Sequence, residues 1–369
     1  MPTTGSLGLY FHIPFCRKIC PYCTFFAVLD DEPSRQAYLK AVLQEVESKR
    51  SLLRNHQIAS IYFGGGTPSI FPEACAKILA HLARYSYTKT IEITLEMNPE
   101  DVTRPLLRDC LSMGINRLSI GLQTGKTIQL EMLGRKALSQ AQWDLAHQHI
   151  PNISLDLLYD LPHQTARDAL EDVALLRDYP APHISLYNLS IETGSFLETK
   201  KRWQPQQEAS KEILETYTEQ LEALGFQRYE LFAFAKPGYE AQHNQRYWKA
   251  LPYLGFGPSS HSYYEKTRFH NHADLFQYCQ SLDRGESPVE KKTKLEEKDL
   301  QKELLILGLR LSSGVFLPGF IRKQGKLSKE LQEGISKLTK KQFLEKEGAW
   351  IRLTKKGLFF YDSVAEELI

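Results

Sequence analysis

The chain has 369 residues, 46 basic and 44 acidic, with a formal net charge of +2. At roughly 100–200 residues per domain, this length carries two domains or one large one with an appendage. The charge balance argues against a dedicated nucleic-acid binder. No run of about 18 apolar residues is present, which excludes a membrane-spanning helix and leaves only peripheral association with a membrane. The N-terminus, MPTTGSLGLYFHIPFC, lacks the basic-then-apolar pattern of a secretory signal. A cytoplasmic location is therefore expected, where thiols stay reduced. Three of the six cysteines, Cys16, Cys20 and Cys23, fall within eight residues. Cys75, Cys110 and Cys279 are scattered and read as ordinary thiols.

Short β-rich runs recur at Leu7–His12, Ser60–Phe63, Ile91–Glu96, Arg117–Gly121, Ile153–Leu158 and His183–Leu189. Between them lie amphipathic stretches such as Ser34–Leu53, Ala74–Tyr85 and Pro105–Met113, with apolar residues three and four apart. Strands alternating with helices of this length mean βα units and a parallel sheet. The fold class is α/β, and six units suit an incomplete barrel; patterning alone leaves a doubly wound open sheet as the alternative. A seventh β-like run, Tyr229–Phe234, leads into a segment rich in Gly, Pro, Tyr and His at Lys236–His272. Ser287–Lys298 is polar and reads as a linker or helix entry. Helices are expected at Leu300–Leu311 and Lys329–Phe343, then a small hairpin of Ala349–Leu353 and Leu358–Tyr361 around a Lys-Lys-Gly turn. The expected units are a barrel over 1–215, an extension over 216–285 and a winged-helix-like module over 286–369. Such a module also serves as a packing or partner surface, so it does not reverse the argument against nucleic acid.

The strongest chemical signal is Cys16-Arg-Lys-Ile-Cys20-Pro-Tyr-Cys23, just after the first strand. Three thiolates this close on a loop can converge on one soft metal. Zinc is one candidate, but a structural zinc site wants four protein ligands, and only His12 stands near as a fourth. A [4Fe–4S] cluster takes four cysteines, one per iron. Here the residue two beyond Cys23 is Phe25, so one iron would be left open for a substrate or cofactor. The C-x3-C-x2-C spacing, with Tyr22 before the last cysteine, resembles the radical S-adenosylmethionine (SAM) superfamily. The resemblance implies a [4Fe–4S] cluster on Cys16, Cys20 and Cys23, and SAM chelating the open iron. It also implies a partial (β/α)6 barrel of TIM-like type, in agreement with the count of six βα units.

The next signal, Gly64-Gly65-Gly66-Thr67-Pro68, follows the second strand at the end where barrel active sites lie. It resembles the segment that holds the methionine amino group in that superfamily, in the form found among relatives of oxygen-independent coproporphyrinogen III oxidase. By the same resemblance Tyr10, Tyr22, Gly64, Gly65, Gly66, Thr67, Glu96, Gln123, Arg135 and Asp156 match SAM-contacting positions. Their chemistry suits that role. Glu96 or Asp156 accepts from ribose hydroxyls or the ammonium, and Arg135 pairs with a carboxylate.

The third signal is His243-Asn-Gln-Arg-Tyr247-Trp248, followed by His261. Spacing alone favours a helix cap or a satisfied core histidine. A histidine among aromatics also suits heme, with imidazole on the iron and rings on the macrocycle. The His-Asn-x-x-Tyr-Trp pattern resembles the heme-chaperone branch of the family, often called HemW. The resemblance therefore implies heme at His243, Tyr247, Trp248 and His261. The implied partners are a heme-acceptor protein and a reductant protein such as a flavodoxin or ferredoxin. The competing function is the oxidase of porphyrin biosynthesis, which uses SAM radicals to decarboxylate coproporphyrinogen III oxidatively. Phe25, at the oxidase's further cysteine position, and the mere fifteen residues before Cys16 favour the chaperone over coproporphyrinogen dehydrogenase activity. No catalytic residue is assigned. The resemblance extends through Ile191-Glu192-Thr-Gly194 and Tyr229-Glu230. Asp160 and His163 stand where the family commonly has glycine, Ala233 where it has asparagine, and Lys136-Ala137 where it has a basic-His pair. These departures bear on loop geometry, since replacing glycine is restrictive wherever φ is positive.

Overall fold

A computed structural model describes residues 5–189 and 206–369. The stretch Ile191–Gly194 lies outside them. Six strands run parallel in chain order: β1 (Ser6–Ile13), β2 (Gln57–Gly65), β3 (Tyr87–Met97), β4 (Arg117–Gln123), β5 (Ile153–Tyr159) and β6 (His183–Asn188). Each pairs with the next in sequence. A doubly wound sheet would reverse its order partway; this uninterrupted order belongs to a partial (β/α)6 barrel. Strand β7 (Gln227–Glu230) turns back into β8 (Ala233–Ala235), which pairs antiparallel with β6. The expected single run Tyr229–Phe234 is thus two strands, broken by a turn at Leu231–Phe232.

On the other edge, β9 (Tyr253–Phe256) pairs parallel with β1, adding a seventh parallel strand that the apolar pattern did not announce. β10 (His261–Tyr264), β11 (Thr267–Asn271) and β12 (Val289–Lys294) continue antiparallel to the sheet's edge. Half of the segment Ser287–Lys298, expected as a linker or helix entry, is therefore an edge strand, and its last two residues do enter the helix Glu297–Leu309. Its charges read as loop, yet an edge strand tolerates and uses charged side chains.

Alternation along the parallel strands divides the barrel. Leu7, Leu9, Phe11, Ile61, Phe63, Leu95, Leu118, Ile120, Leu155 and Ile184 are buried in one continuous core. They face helices such as Glu32–Ser48 and Pro72–Leu82, whose own apolar faces join that core. The intervening positions are polar and point inward: Tyr10, Ser60, Tyr62, Glu92, Thr94, Glu96, Arg117, Ser119, Ser154, Asp156, His183 and Ser185. Period-two side-chain direction makes this division automatic once the strands form.

Helix Gln242–Trp248 closes the lumen at the level of Ser60 and Glu92, which sit in register with Gly8 toward the strands' N-terminal ends. The Glu92 carboxylate accepts from the backbone N–H groups of Gln242 at 3.0 Å and His243 at 2.9 Å. It thereby satisfies two of the donors that every helix start leaves open. Arg246 donates to the carbonyls of Ser6 at 2.6 Å and Pro252 at 3.0 Å. Helix Gln207–Ala223 runs through residue 215, so the boundary expected there falls inside a continuous helix.

The C-terminal module has its own core of Leu305, Leu309, Leu331, Ile335, Leu338, Ile351 and Val364. β13 (Val315–Phe316), β14 (Leu344–Glu347) and β15 (Trp350–Leu353) form its three-stranded sheet, against helices Glu297–Leu309 and Lys329–Lys340. The hairpin joins β14 to β15 across Gly348, not β15 to Leu358–Tyr361 as expected. Thr354 accepts from the Gly357 N–H at 3.0 Å and caps a helix over Lys355–Phe359, which converts the anticipated turn into a helix start.

Replacing Glu92 by Ala strands two helix-start N–H groups, of which that of His243 is buried. The expected loss is about 1–3 kcal/mol of unfolding free energy, the cost of one buried unsatisfied group. Denaturant titration of Glu92→Ala against wild type checks it.

Candidate functional site

The C-terminal ends of the strands gather most of the residues singled out from sequence. β1 ends at Ile13, and the backbone runs on through Cys16 into the cysteine loop. The glycine turn after β2 is tied directly to that exit. Gly66 N–H donates to the Ile13 carbonyl at 2.9 Å, and Thr67 N–H to the Phe15 carbonyl at 2.8 Å. A Cβ on Gly66 would lie 2.6 Å from the Pro14 carbonyl carbon, so only glycine permits this approach. The Cys16 thiol then lies 3.4 Å from the Thr67 hydroxyl.

The three thiols lie close enough for the charges of Cys20 and Cys23 to bear on Cys16, and that of Cys20 on Cys23. Burial raises the pKa of Cys16 and Cys23. Arg135 Nη1 donates to Cys20 Sγ at 3.6 Å, placing a fixed cation beside a thiol. Among the described residues no three His, Cys, Asp or Glu side chains form a finished metal cage. The donor set itself fits a soft metal centre: three thiols on one loop, a cation against them, and the Arg135 Nε buried with no partner. His12 does not extend the set to a fourth ligand. Its Nδ1 pairs with the Tyr10 hydroxyl at 3.1 Å and its Nε2 with the Phe26 carbonyl at 2.8 Å. Burial chiefly holds its pKa down to about 4.

Glu96 is the acidic centre of the floor. It accepts from the Tyr62 hydroxyl at 2.8 Å and the Gly65 N–H at 3.2 Å. Burial raises its pKa to about 7, with neighbouring Asp156 adding to the rise. Asp156 accepts from Ser119 at 2.7 Å and Ser154 at 3.0 Å, and burial raises its pKa as well. Gly121 separates two further groups: a Cβ there would meet Arg135 Nη2 at 2.5 Å and Gln123 Nε2 at 2.6 Å. Gln123 holds φ at 66°, a left-handed conformation at the strand's end. Tyr22 stands by Arg135, Cys20 and Cys23, against Leu133, Leu158 and Leu161. The structure thus brings Tyr10, Tyr22, Gly64, Gly65, Gly66, Thr67, Glu96, Gln123, Arg135 and Asp156 to one end of the barrel with the cysteines.

Tyr62 and Ser119 complete this lining, while Ser154 and His183 stand at the starts of their strands toward the closing helix, and no motif in the sequence marks any of them. His183 Nδ1 pairs with Ser154 at 2.8 Å, and Nε2 with the Tyr229 hydroxyl at 2.9 Å. Their signal lies in the alternate positions of each strand, as in Glu92, Thr94, Glu96 and His183, Ser185, Tyr187. Asp160 and His163 do occupy left-handed backbone, with φ of 60° and 62°. Asp160 accepts from Asn188 Nδ2 at 2.5 Å, a bond to the end of the next strand.

The His-Asn-x-x-Tyr-Trp segment lies elsewhere. It is the closing helix at the opposite end of the lumen. His243 is buried, with Nδ1 against the Ser60 hydroxyl at 2.8 Å and Nε2 against the Tyr247 hydroxyl at 2.7 Å. Burial and Arg246 push its pKa down to about 3. Tyr247 packs edge-on against Tyr253, and Arg310 lies 3.9 Å from the Trp248 ring centre. His261 stands apart from this cluster, at the start of β10.

A partial barrel with three cysteines behind its first strand is the scaffold of a radical SAM protein. The Radical SAM superfamily pattern matches residues 10–176, and the HemN C-terminal domain matches residues 295–360. The heme chaperone HemW of Lactococcus lactis is 30% identical, covering 98% of this chain and 96% of its own length. That of Haemophilus influenzae is 35% identical over 71% of each chain. Among solved structures, coproporphyrinogen III oxidase (HemN) from Escherichia coli matches the fold. Its TM-score is 0.87 at 22% identity, covering 100% of this chain and 91% of that one. The chain belongs to the heme chaperone HemW family of the radical SAM superfamily. That superfamily implies SAM and a [4Fe–4S] cluster. Among the described residues no helix is long and apolar enough to cross a membrane.

Glu96 gives this site a pH signature. Its folded pKa of about 7 lies above the ordinary 4.5, so the folded chain holds a proton that the unfolded chain has released. Its contribution to stability is complete below about pH 4.5 and is lost as pH rises toward 7. Glu96→Gln removes this loss, so the stability of the variant relative to wild type should grow between pH 5 and pH 8. Denaturant titrations at the two pH values check the sign.

Proposed function

We propose that this chain is a heme chaperone, which binds heme beside a [4Fe–4S] cluster and SAM and passes it to an acceptor protein in the cytoplasm. The observation that carries this reading is the similarity to curated heme chaperones along nearly the whole chain. Cys16, Cys20 and Cys23 hold the cluster, and the iron they leave unligated is the place for SAM. Tyr10, Tyr22, Thr67, Gln123 and the glycine turn surround SAM, with Glu96 and Asp156 facing its ammonium and hydroxyls and Arg135 its carboxylate. The cluster, when bound, supplies an electron drawn from a reductant protein of the flavodoxin or ferredoxin kind. The chain's own part is to hold these charges in a lumen whose dipoles are fixed, where electrostatic contacts are stronger than in water.

Phe25 separates this reading from the oxidase. It stands two residues beyond Cys23 and is 69% exposed, presenting a ring where a further thiol would otherwise stand. In this reading the barrel holds the cofactors, the closing helix Gln242–Trp248 shuts the lumen, and the C-terminal module offers a surface for partners.

Anaerobic reconstitution tests the reading on one preparation. About four irons per chain and no zinc are expected, one cluster in all. Cys20→Ser should lose most of that iron. Added heme should bind, and coproporphyrinogen III should remain unconverted. Conversion to protoporphyrinogen IX, or failure to bind heme, would sink the chaperone reading.

A further inference from the structure

The helix Gln207–Ala223, which leads from β6 toward β7, has two unlike faces. Ile213, Leu214, Tyr217 and Leu221 are buried against the barrel core. Glu208, Lys211, Glu215, Thr218, Glu219 and Glu222 recur at three- and four-residue steps and form one stripe along its outside. The helix Lys355–Phe359 of the C-terminal module stands opposite. The two walls enclose an open cleft of about 660 Å³. Leu214, Leu358, Phe359 and Phe360 give the cleft an apolar floor, and Phe359 also packs against the barrel core. We infer that this cleft is a docking groove for a partner protein, and that its occupant is an amphipathic helix with a basic edge. The inference rests on the partner surface in the reading above and is independent of its heme binding.

The shape selects a helix. The lining runs from Gln207 to Glu222, about 22 Å at 1.5 Å per residue. A compact ligand is held in a pocket that encloses most of its surface. A trough four turns long and open along one side takes a helix laid lengthwise, apolar face down.

The charges select its sign. Glu208, Glu215, Glu219 and Glu222 are all exposed. Among the described residues only Glu215 has an ion pair, with Lys211 of its own helix at 3.7 Å, and an exposed pair of that kind contributes little. The cations across the cleft are mostly engaged elsewhere. Arg228 donates twice to the Leu231 carbonyl and lies over the Phe234 ring. Lys356 donates to the Lys341 carbonyl at 3.1 Å and lies over the Phe343 ring. Lys355 remains as the cation of the far wall. A docked helix therefore meets four carboxylates along one edge and one ammonium along the other. Apolar side chains on the floor supply affinity, and lysines or arginines on one edge fix the direction in which the helix lies.

The test uses the full chain and two labelled helical peptides of about 16 residues, the length of the trough. Both carry leucines on one face; one has lysines along one edge, the other glutamates. Binding is read by fluorescence anisotropy at low and high salt. The lysine peptide should bind at least about tenfold tighter than the glutamate peptide, with the preference shrinking at high salt. The double variant Glu215→Lys, Glu219→Lys, checked for folding by circular dichroism and for unchanged iron uptake, should reverse the preference. Glu286→Lys with Glu366→Lys changes the net charge equally at exposed positions outside the trough, and should keep it. Equal binding of the two peptides, binding of neither, or an unchanged preference in the Glu215→Lys, Glu219→Lys protein overturns the inference. So does a wild-type dimer that this double variant dissociates, since a second copy would then fill the groove. Each of these outcomes leaves the heme titration as the separate test of the chaperone reading.

Discussion

The structure depends on one constraint: a parallel barrel that is polar inside must find partners for most of the groups it encloses, and few, Thr94 Oγ1 and Arg135 Nε among them, are left without one. The strands put apolar residues outward against helices and leave charged and hydroxyl side chains facing each other across the lumen. A buried polar group without a partner costs more than a hydrogen bond gains, so the lining is bonded in chains. Asp156 is held by Ser119 and Ser154, Ser154 meets His183, and His183 reaches Tyr229. Glu96 is held by Tyr62 and the Gly65 backbone. Apolar faces turned the same way would fill the barrel and leave no site.

The two ends of the lumen divide accordingly. At the N-terminal end, Glu92 fixes the start of a short helix whose His243 bonds Ser60 and whose Arg246 bonds the Ser6 carbonyl. That end is shut. At the C-terminal end the strands stop in glycine turns and in Gln123, whose left-handed backbone turns its amide toward Arg135. That end is open and gathers three thiols, an arginine and two carboxylic acids with raised pKa. Barrels of parallel strands carry their sites at this end, and the irregular backbone here lies at the same rim.

Much of this is readable in the residues. The six βα units follow from alternating β-rich runs and amphipathic stretches, and all six strands lie where those runs stand. Asp160 and His163, standing at glycine positions of the family, do hold glycine-type backbone. What fails to read has a common cause. Val289–Lys294 is charged because it is an edge, and Leu344–Glu347 is charged because one face meets solvent; composition reports exposure, and exposure alone does not tell an edge strand from a loop or a helix. The seventh parallel strand, Tyr253–Phe256, is only four residues long, and the helix before it, Gln242–Trp248, is short and buries His243 and Arg246 rather than an apolar stripe. Its pairing with β1 comes from chain closure, which is not a local property.

The sequence by itself determined the cysteine spacing, the number of βα units and the family, because these are local patterns carried by neighbouring residues. The tertiary structure alone decided the place of the histidines. His243 and His261 stand eighteen positions apart, beside similar aromatics, yet one is sealed in the floor and the other is exposed at the rim. Burial depends on which strands pair, and pairing brings Ser60, 183 positions away, against the His243 ring. No window of sequence contains that contact, and it is the contact that seals the His243 ring into the closing helix.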